Sequence, residues 1–131
     1  MRKHSLSVLF VLVGAILFLV SNAGAHHSYG ATYLEDKSIT LDGSIVQMLF
    51  RNPHSYVQVD VKDATGQVVR WNVEWGGVVQ LSQKGVTRDT LKPGDHVVIV
   101  GNPSRTPEDH RVRLVSITRP LDGWKWGATY D

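Results

Sequence analysis

Tyr56-Val57-Gln58-Val59-Asp60-Val61-Lys62, then Asp63-Ala64-Thr65-Gly66-Gln67, then Val68-Val69-Arg70-Trp71-Asn72-Val73-Glu74-Trp75: this stretch decides the fold. Both flanks alternate apolar and polar side chains, the period of a strand with one buried face. Setting Val61 against Val69 places Val59 against Trp71 and Val57 against Val73, all on one face. The other face then pairs Asp60 with Arg70, Gln58 with Asn72 and Tyr56 with Glu74. A slip of one residue would set Val59 against Arg70 and bury charge, so the first register is expected. Gly66 is available in the connecting loop for a positive φ.

Upstream, Ile39–Phe50 reads as a long strand whose alternation slips at Ile45-Val46, just after Gly43. A glycine beside a slip in phase points to a bulge or sharp bend. Arg51-Asn52-Pro53-His54 then breaks the strand, because proline lacks an amide donor and Asn-Pro favours a turn. Downstream, Val78, Leu81 and Lys84 are spaced by three within Gly76–Gly85, which predicts a short helix ending at Gly85. Leu91–Asp95 is a turn, and His96–Gly101 a strand whose Val97–Val100 run suggests burial on both faces. Asn102–His110 is a loop with two prolines, Arg111–Thr118 the last strand, and Asp122–Asp131 a short tail with Trp124, Trp126 and Tyr130. Trp124 and Trp126 would face the same way if extended and close one end of the core. The order is mainly all-β: five strands, the first long and bent, with one helix between the third and fourth. It predicts an OB-like barrel, with a five-stranded open sheet or small sandwich as the alternative.

The beginning of the chain reads as an export signal. Arg2 and Lys3 precede an unbroken run of apolar residues and Gly14, Val8–Val20, and Ala23-Gly24-Ala25 is a small-x-small cleavage site. The run is shorter than the roughly 18 residues that span a bilayer, which argues against an uncleaved anchor. The expected organisation is a signal peptide over 1–25, a polar arm over 26–38 and the β-domain over 39–131. A single arginine near the start does not indicate the twin-arginine route. The Sec route to a bacterial periplasm or the exterior is expected, with no membrane attachment after cleavage. The chain has no cysteine. That excludes lipid anchoring through cysteine, disulfides, cysteine redox chemistry and Cys-zinc sites.

Loss of Arg2 and Lys3 also changes the charge. The chain has 14 basic and 12 acidic residues, so without those two the signs balance. A generic attraction to nucleic acid or anionic lipid is therefore not supported.

Several stretches together resemble a known group. These are Ala-His-His-Ser at 25–28, Asn-Pro-His at 52–54, Trp71 with Glu74, Thr-Arg-Asp-x-Leu-Lys-Pro-Gly-Asp at 87–95, and Asp122-Gly123. The combination resembles an uncharacterised family of small exported bacterial proteins, mostly proteobacterial, defined as a domain of unknown function. Val86 departs from the aromatic that such proteins carry before the Thr-Arg-Asp run. The resemblance implies export and a small β-rich domain, and carries no activity.

Three places could hold chemistry. Cleavage after Ala25 would expose the α-amine of His26, which chelates together with its own imidazole; His27 adds a second imidazole. Amine and imidazole nitrogens suit Cu(II), which binds such sites more tightly than other divalent first-row metals. The second place is Asn52-Pro53-His54, in the loop between strands one and two of the expected barrel. With the Asn102–His110 loop it would flank the usual OB binding face, each loop bringing a histidine, His54 and His110. The third is the outer hairpin face, Tyr56, Gln58, Asp60, Arg70, Asn72 and Glu74, which reads more readily as a solvated surface, since its charges already match one another.

No nucleophile, base and orienter can be assembled. Asp95 and His96 are neighbours on a strand and point to opposite faces, so the one cannot orient the other. Two readings follow, neither an enzyme. One is a periplasmic copper-binding module with His26, His27 and His54 as ligands. The other is a non-metal OB-type interaction module that takes a periplasmic protein or saccharide through Asn52, Tyr56, Arg70, Glu74 and His110. Nucleic acid is not expected as a partner.

Overall fold

The computed structural model describes residues 28–127. Residues from Thr32 onward belong to one compact unit. The elements run α1 (Ser28–Thr32), β1 (Ile39–Leu49), β2 (Tyr56–Lys62), β3 (Val68–Glu74), α2 (Val78–Gln83), β4 (His96–Pro103), a 3-10 turn (Pro107–Asp109), β5 (Arg111–Arg119) and β6 (Trp124–Gly127).

Neighbouring strands follow β3-β2-β1-β4-β5-β6, and a further β3–β5 pairing closes the first five into a barrel. That closing pair is parallel, Asn72 with Arg111 and Glu74 with Arg113, while the others are antiparallel. The ring order β1-β2-β3-β5-β4, with a helix between β3 and β4, is the OB-like barrel read from the sequence.

The hairpin register is the expected one: Val61 faces Val69, Val59 faces Trp71 and Val57 faces Val73. Val57, Val59 and Val73 are fully buried, and Asp60 takes Arg70 in a two-pronged pair at 2.8 and 3.0 Å. Gly66 has φ +84° in the connecting loop.

The long first strand serves both halves of the barrel. Ile39–Ser44 pairs with β4, and Gly43–Leu49 pairs with β2. The ladder to β2 slips between Ile45 and Gln47, leaving Val46 as the extra residue. The bulge thus falls where the alternation broke. Gly43 is needed here for closeness: a Cβ would lie 2.4 Å from the Asp60 carbonyl oxygen.

Two expectations need correction. A sixth strand joins the five read from the sequence, because Trp124–Gly127 in the short tail forms β6 on the edge of β5 beyond the stretch that meets β3. Trp126 packs its edge against Trp75 with ring centres 5.0 Å apart, and both tryptophans of β6 lean on the core. The Val97–Val100 run is not buried on both faces. Val97 and Ile99 are fully buried, whereas Val98 and Val100 are only half-buried on the outer side of the barrel.

Candidate functional site

The site is built on the loop between β1 and β2. Ser55, fully buried, ties this loop to itself and to the residues that follow β3. Its hydroxyl oxygen accepts from the Arg51 amide and donates to the Arg51 carbonyl, each at 3.2 Å. Its own amide donates to the Gly76 carbonyl at 3.0 Å, and its carbonyl accepts from the Trp75 amide at 2.8 Å. Asn52-Pro53 is a cis peptide.

The same loop rests on the start of α2. Gly77, which precedes the helix, has no side chain with which to cap it. Asn52 supplies the acceptor instead: its Oδ1 takes the Val78 amide at 2.9 Å. The approach is so close that a Cβ on Gly77 would sit 2.6 Å from the Pro53 carbonyl oxygen. The turn chemistry of Asn-Pro therefore serves a specific contact and fixes where His54 stands.

His54 meets Glu74. Its Nδ1 lies 2.7 Å from Glu74 Oε1, with the carboxylate side chain 6% exposed and the imidazole 34%. An ionised carboxylate only accepts, so the nitrogen facing it carries the hydrogen. The other carboxylate oxygen, Oε2, accepts from Arg111 Nη2 at 2.8 Å and from the Tyr33 hydroxyl. Arg111 Nη2 also donates to the Tyr56 hydroxyl at 3.2 Å. A buried carboxylate is tolerable here because a guanidinium balances it and both oxygens are engaged.

Tyr33 arrives from the segment before β1. It bridges to Ser104, and the Leu34 amide donates to the Pro103 carbonyl at 2.9 Å. Burial first, and then the hydrogen bond to Glu74, pushes the Tyr33 phenol well above its ordinary range. It stays protonated and keeps donating.

The Glu74 end of the hairpin's outer face is thus not a solvated surface of matched pairs. Tyr33 and Arg111 cover it, and Glu74 is 5% exposed. Farther along the same face the open arrangement holds. Gln47 Nε2 donates to Gln58 Oε1 at 2.7 Å, and Gln58 Nε2 to Asn72 Oδ1 at 3.2 Å.

Of the residues singled out from the sequence, Asn52, His54, Tyr56 and Glu74 come together. Arg70 does not join them, being paired with Asp60 four residues down the strand from Glu74. His110 is engaged elsewhere. It closes the 3-10 turn with φ 43°, its carbonyl accepts from the Asn72 amide at 2.9 Å, and its ring meets Trp71 edge-on at 5.2 Å. His26, His27 and the proposed cleavage site lie outside the described residues. Tyr33, Arg51, Ser55 and Arg111 were not singled out. For Arg111 a signal existed: in an OB-like ring β5 runs beside β3, so an outward residue at its start falls close to Glu74.

Beside His54 lies an open cleft of about 270 Å³, lined by Arg51, Asn52, Pro53, His54 and Tyr56. The Arg51 guanidinium stands 5.2 Å from the centre of the Tyr56 ring and that of Arg111 stands 5.7 Å from it. Among the described residues no three His, Asp or Glu side chains are grouped to hold a metal ion. A metal at His54 needs ligands from elsewhere in the chain. Among those residues, too, no helix is long and apolar enough to cross a membrane.

The model of a family of unknown function (DUF6152) matches residues 15–113. The match includes the motifs at 25–28, 52–54 and 87–95 and ends before Asp122-Gly123. No curated protein and no solved structure matches the chain.

Proposed function

For this chain, which belongs to the DUF6152 family of unknown function, we propose the role of an exported copper-binding module. Residues 1–25 act as a signal peptide, and the mature protein starts at His26 in a bacterial periplasm or outside the cell. The α-amine and imidazole of His26 chelate Cu(II), with His27 beside them, and His54 is the ligand offered by the barrel.

One observation carries this reading. The His54 ring is held through Nδ1 by a buried carboxylate, which is itself held by Arg111 and Tyr33. Metal-binding histidines are oriented in this way, by a carboxylate on the nitrogen away from the metal. With the hydrogen on Nδ1, Nε2 is the nitrogen whose lone pair a metal takes. Amine and imidazole nitrogens together favour Cu(II).

The test is a Cu(II) titration of three proteins, each produced from the full chain. They are the native sequence, one with a methionine inserted between Ala25 and His26, and His54→Ala. Intact mass of the recovered protein establishes where each begins. The insertion is expected to weaken binding by far more than about tenfold, because it removes the chelate at His26. His54→Ala is expected to cost less, since it leaves that chelate in place. Equal affinity in all three removes copper. It leaves an interaction module for a periplasmic protein or saccharide, to which the amide row of exposed Gln47 and half-buried Gln58 and Asn72 is suited.

A further inference from the structure

We infer that the cleft formed by Arg51, Asn52 and Tyr56 is a binding site for a small oxyanion, a carboxylate or phosphate group. The inference needs no metal and rests on which hydrogen-bonding groups remain available in the cleft.

The side-chain oxygens of the lining are already engaged. Asn52 Oδ1 accepts from the Val78 amide, and the Tyr56 hydroxyl oxygen accepts from Arg111. Behind them both oxygens of Glu74 are held, one by His54 and one by Tyr33 and Arg111. The Pro53 carbonyl faces Gly77.

The donors are a different matter. Arg51 has no carboxylate partner among the described residues; its guanidinium meets only the face of Tyr56. Asn52 must turn Oδ1 to the Val78 amide, so its amide NH₂ points away from α2, with no acceptor among the described residues. Tyr56 receives the Arg111 hydrogen bond, and its own hydroxyl proton has no acceptor among those residues either. A cleft whose fixed groups donate, and whose one charge without a counter-charge is a guanidinium, complements an oxyanion.

The donors are also held in place. Arg51 is tied at its backbone to Ser55 and at its guanidinium to Tyr56. Asn52 is fixed by α2, and Tyr56 by its ladder to β1 and β3. Preorganised donors lose little freedom on binding. Arg70 and Arg111 offer no equivalent, since Asp60 and Glu74 already balance them.

The experiment uses protein purified from expression of the full chain and passed over chelating resin, so its outcome is independent of copper. Inorganic phosphate and acetate are titrated separately, at one pH and at ionic strength held constant with chloride. The readout is the ¹H–¹⁵N signals of the Arg51 Nε and Asn52 Nδ2 groups. Saturable shifts of both groups with either anion are expected, the tighter anion naming the natural chemistry. Arg51→Gln is expected to weaken binding by about tenfold and Tyr56→Phe by about threefold. Arg51→Lys, which keeps the charge without the fork, falls between wild type and Arg51→Gln. Arg70→Gln leaves the affinity unchanged. Absence of saturation with both anions overturns the inference, and so does an Arg70→Gln effect equal to that of Arg51→Gln, which means diffuse attraction to surface charge.

Discussion

Glu74 Oε1 lies 2.7 Å from His54 Nδ1, with Glu74 at the end of β3 and His54 in the loop ahead of β2. The contact is possible because Ser55 and Asn52 fasten that loop to the Trp75–Val78 segment that continues β3. Glu74 is the hub of the cluster, and His54, Tyr33 and Arg111 are its spokes.

Glu74→Gln keeps the shape of the hub and removes its charge. Arg111 then loses its counter-ion, and an amide nitrogen replaces one accepting oxygen. The expected cost is about 1–3 kcal/mol, read as a lower denaturant midpoint at unchanged slope. His54→Ala is expected to cost clearly less, because the imidazole is partly exposed and water can reach Oε1. If copper binds as proposed, Glu74→Gln also weakens it, by less than His54→Ala does. Equal stability of Glu74→Gln and wild type contradicts the hub.

Tyr33 sets an alkaline limit. Its phenol is raised in the folded protein above the ordinary value near 10 that it regains on unfolding. The stability it contributes is full below about pH 10 and declines as pH rises from there toward the folded value, because the unfolded chain releases this proton first. Absorbance of tyrosinate near neutral to alkaline pH should show one of the four tyrosines lagging behind the rest. Tyr33→Phe should remove that lag and flatten the fall in stability above about pH 10.

Two aspartates on the surface work in the opposite sense. Hydrogen bonds from Arg70 hold the Asp60 carboxyl below its usual range, and those from Arg119 do the same for Asp122. A depressed folded value means stability that is present above the ordinary carboxylate range and is lost as pH falls through the folded value. Carboxyl NMR titration should show both below the ordinary carboxylate range, and Arg70→Gln should return Asp60 to it while leaving Asp122 unmoved.

Gly77→Ala tests how the loop is seated. The added Cβ would meet the Pro53 carbonyl oxygen at 2.6 Å and Asn52 Oδ1 at 3.0 Å, so the loop must lift from α2. A cost of about 1–3 kcal/mol is expected. The ¹H–¹⁵N amide signals of residues 51–55 should move more than those of the Asp63–Gln67 loop. Unchanged signals at 51–55 would mean that α2, not the loop, yields.

The sequence was most readable where contacts are local and periodic. The β2–β3 register followed from Val57, Val59 and Val61 meeting Val73, Trp71 and Val69, since only one register keeps Arg70 out of the core. The bulge at Val46 announced itself as a break in the same alternation. The environment of Glu74 was harder to read: Tyr33 is far from it along the chain and carries no periodic mark, and Arg111 is placed beside it only through the barrel topology that sets β5 next to β3. Trp124–Gly127 was too short to show a period, and its pairing with Ser116–Arg119 depends on the turn at Asp122-Gly123. At Val98 and Val100 hydrophobicity overstated burial, since an outer barrel face retains apolar residues without covering them.

The parallel seam between β3 and β5 has a consequence for how the protein matures. The β2–β3 hairpin alone already sets Tyr56 across from Glu74. Arg111 reaches Glu74, 37 positions away, only once β5 has returned to β3, a long-range closure with an entropic cost. The complete cluster therefore forms no earlier than the seam itself. A chain arrested after its first three strands would present Glu74 as an ordinary surface carboxylate, without its arginine. Occupancy of the site is thereby coupled to completed folding: any ligand that requires the intact cluster draws the population toward the closed barrel by mass action, and chains that fail to close remain unable to hold it.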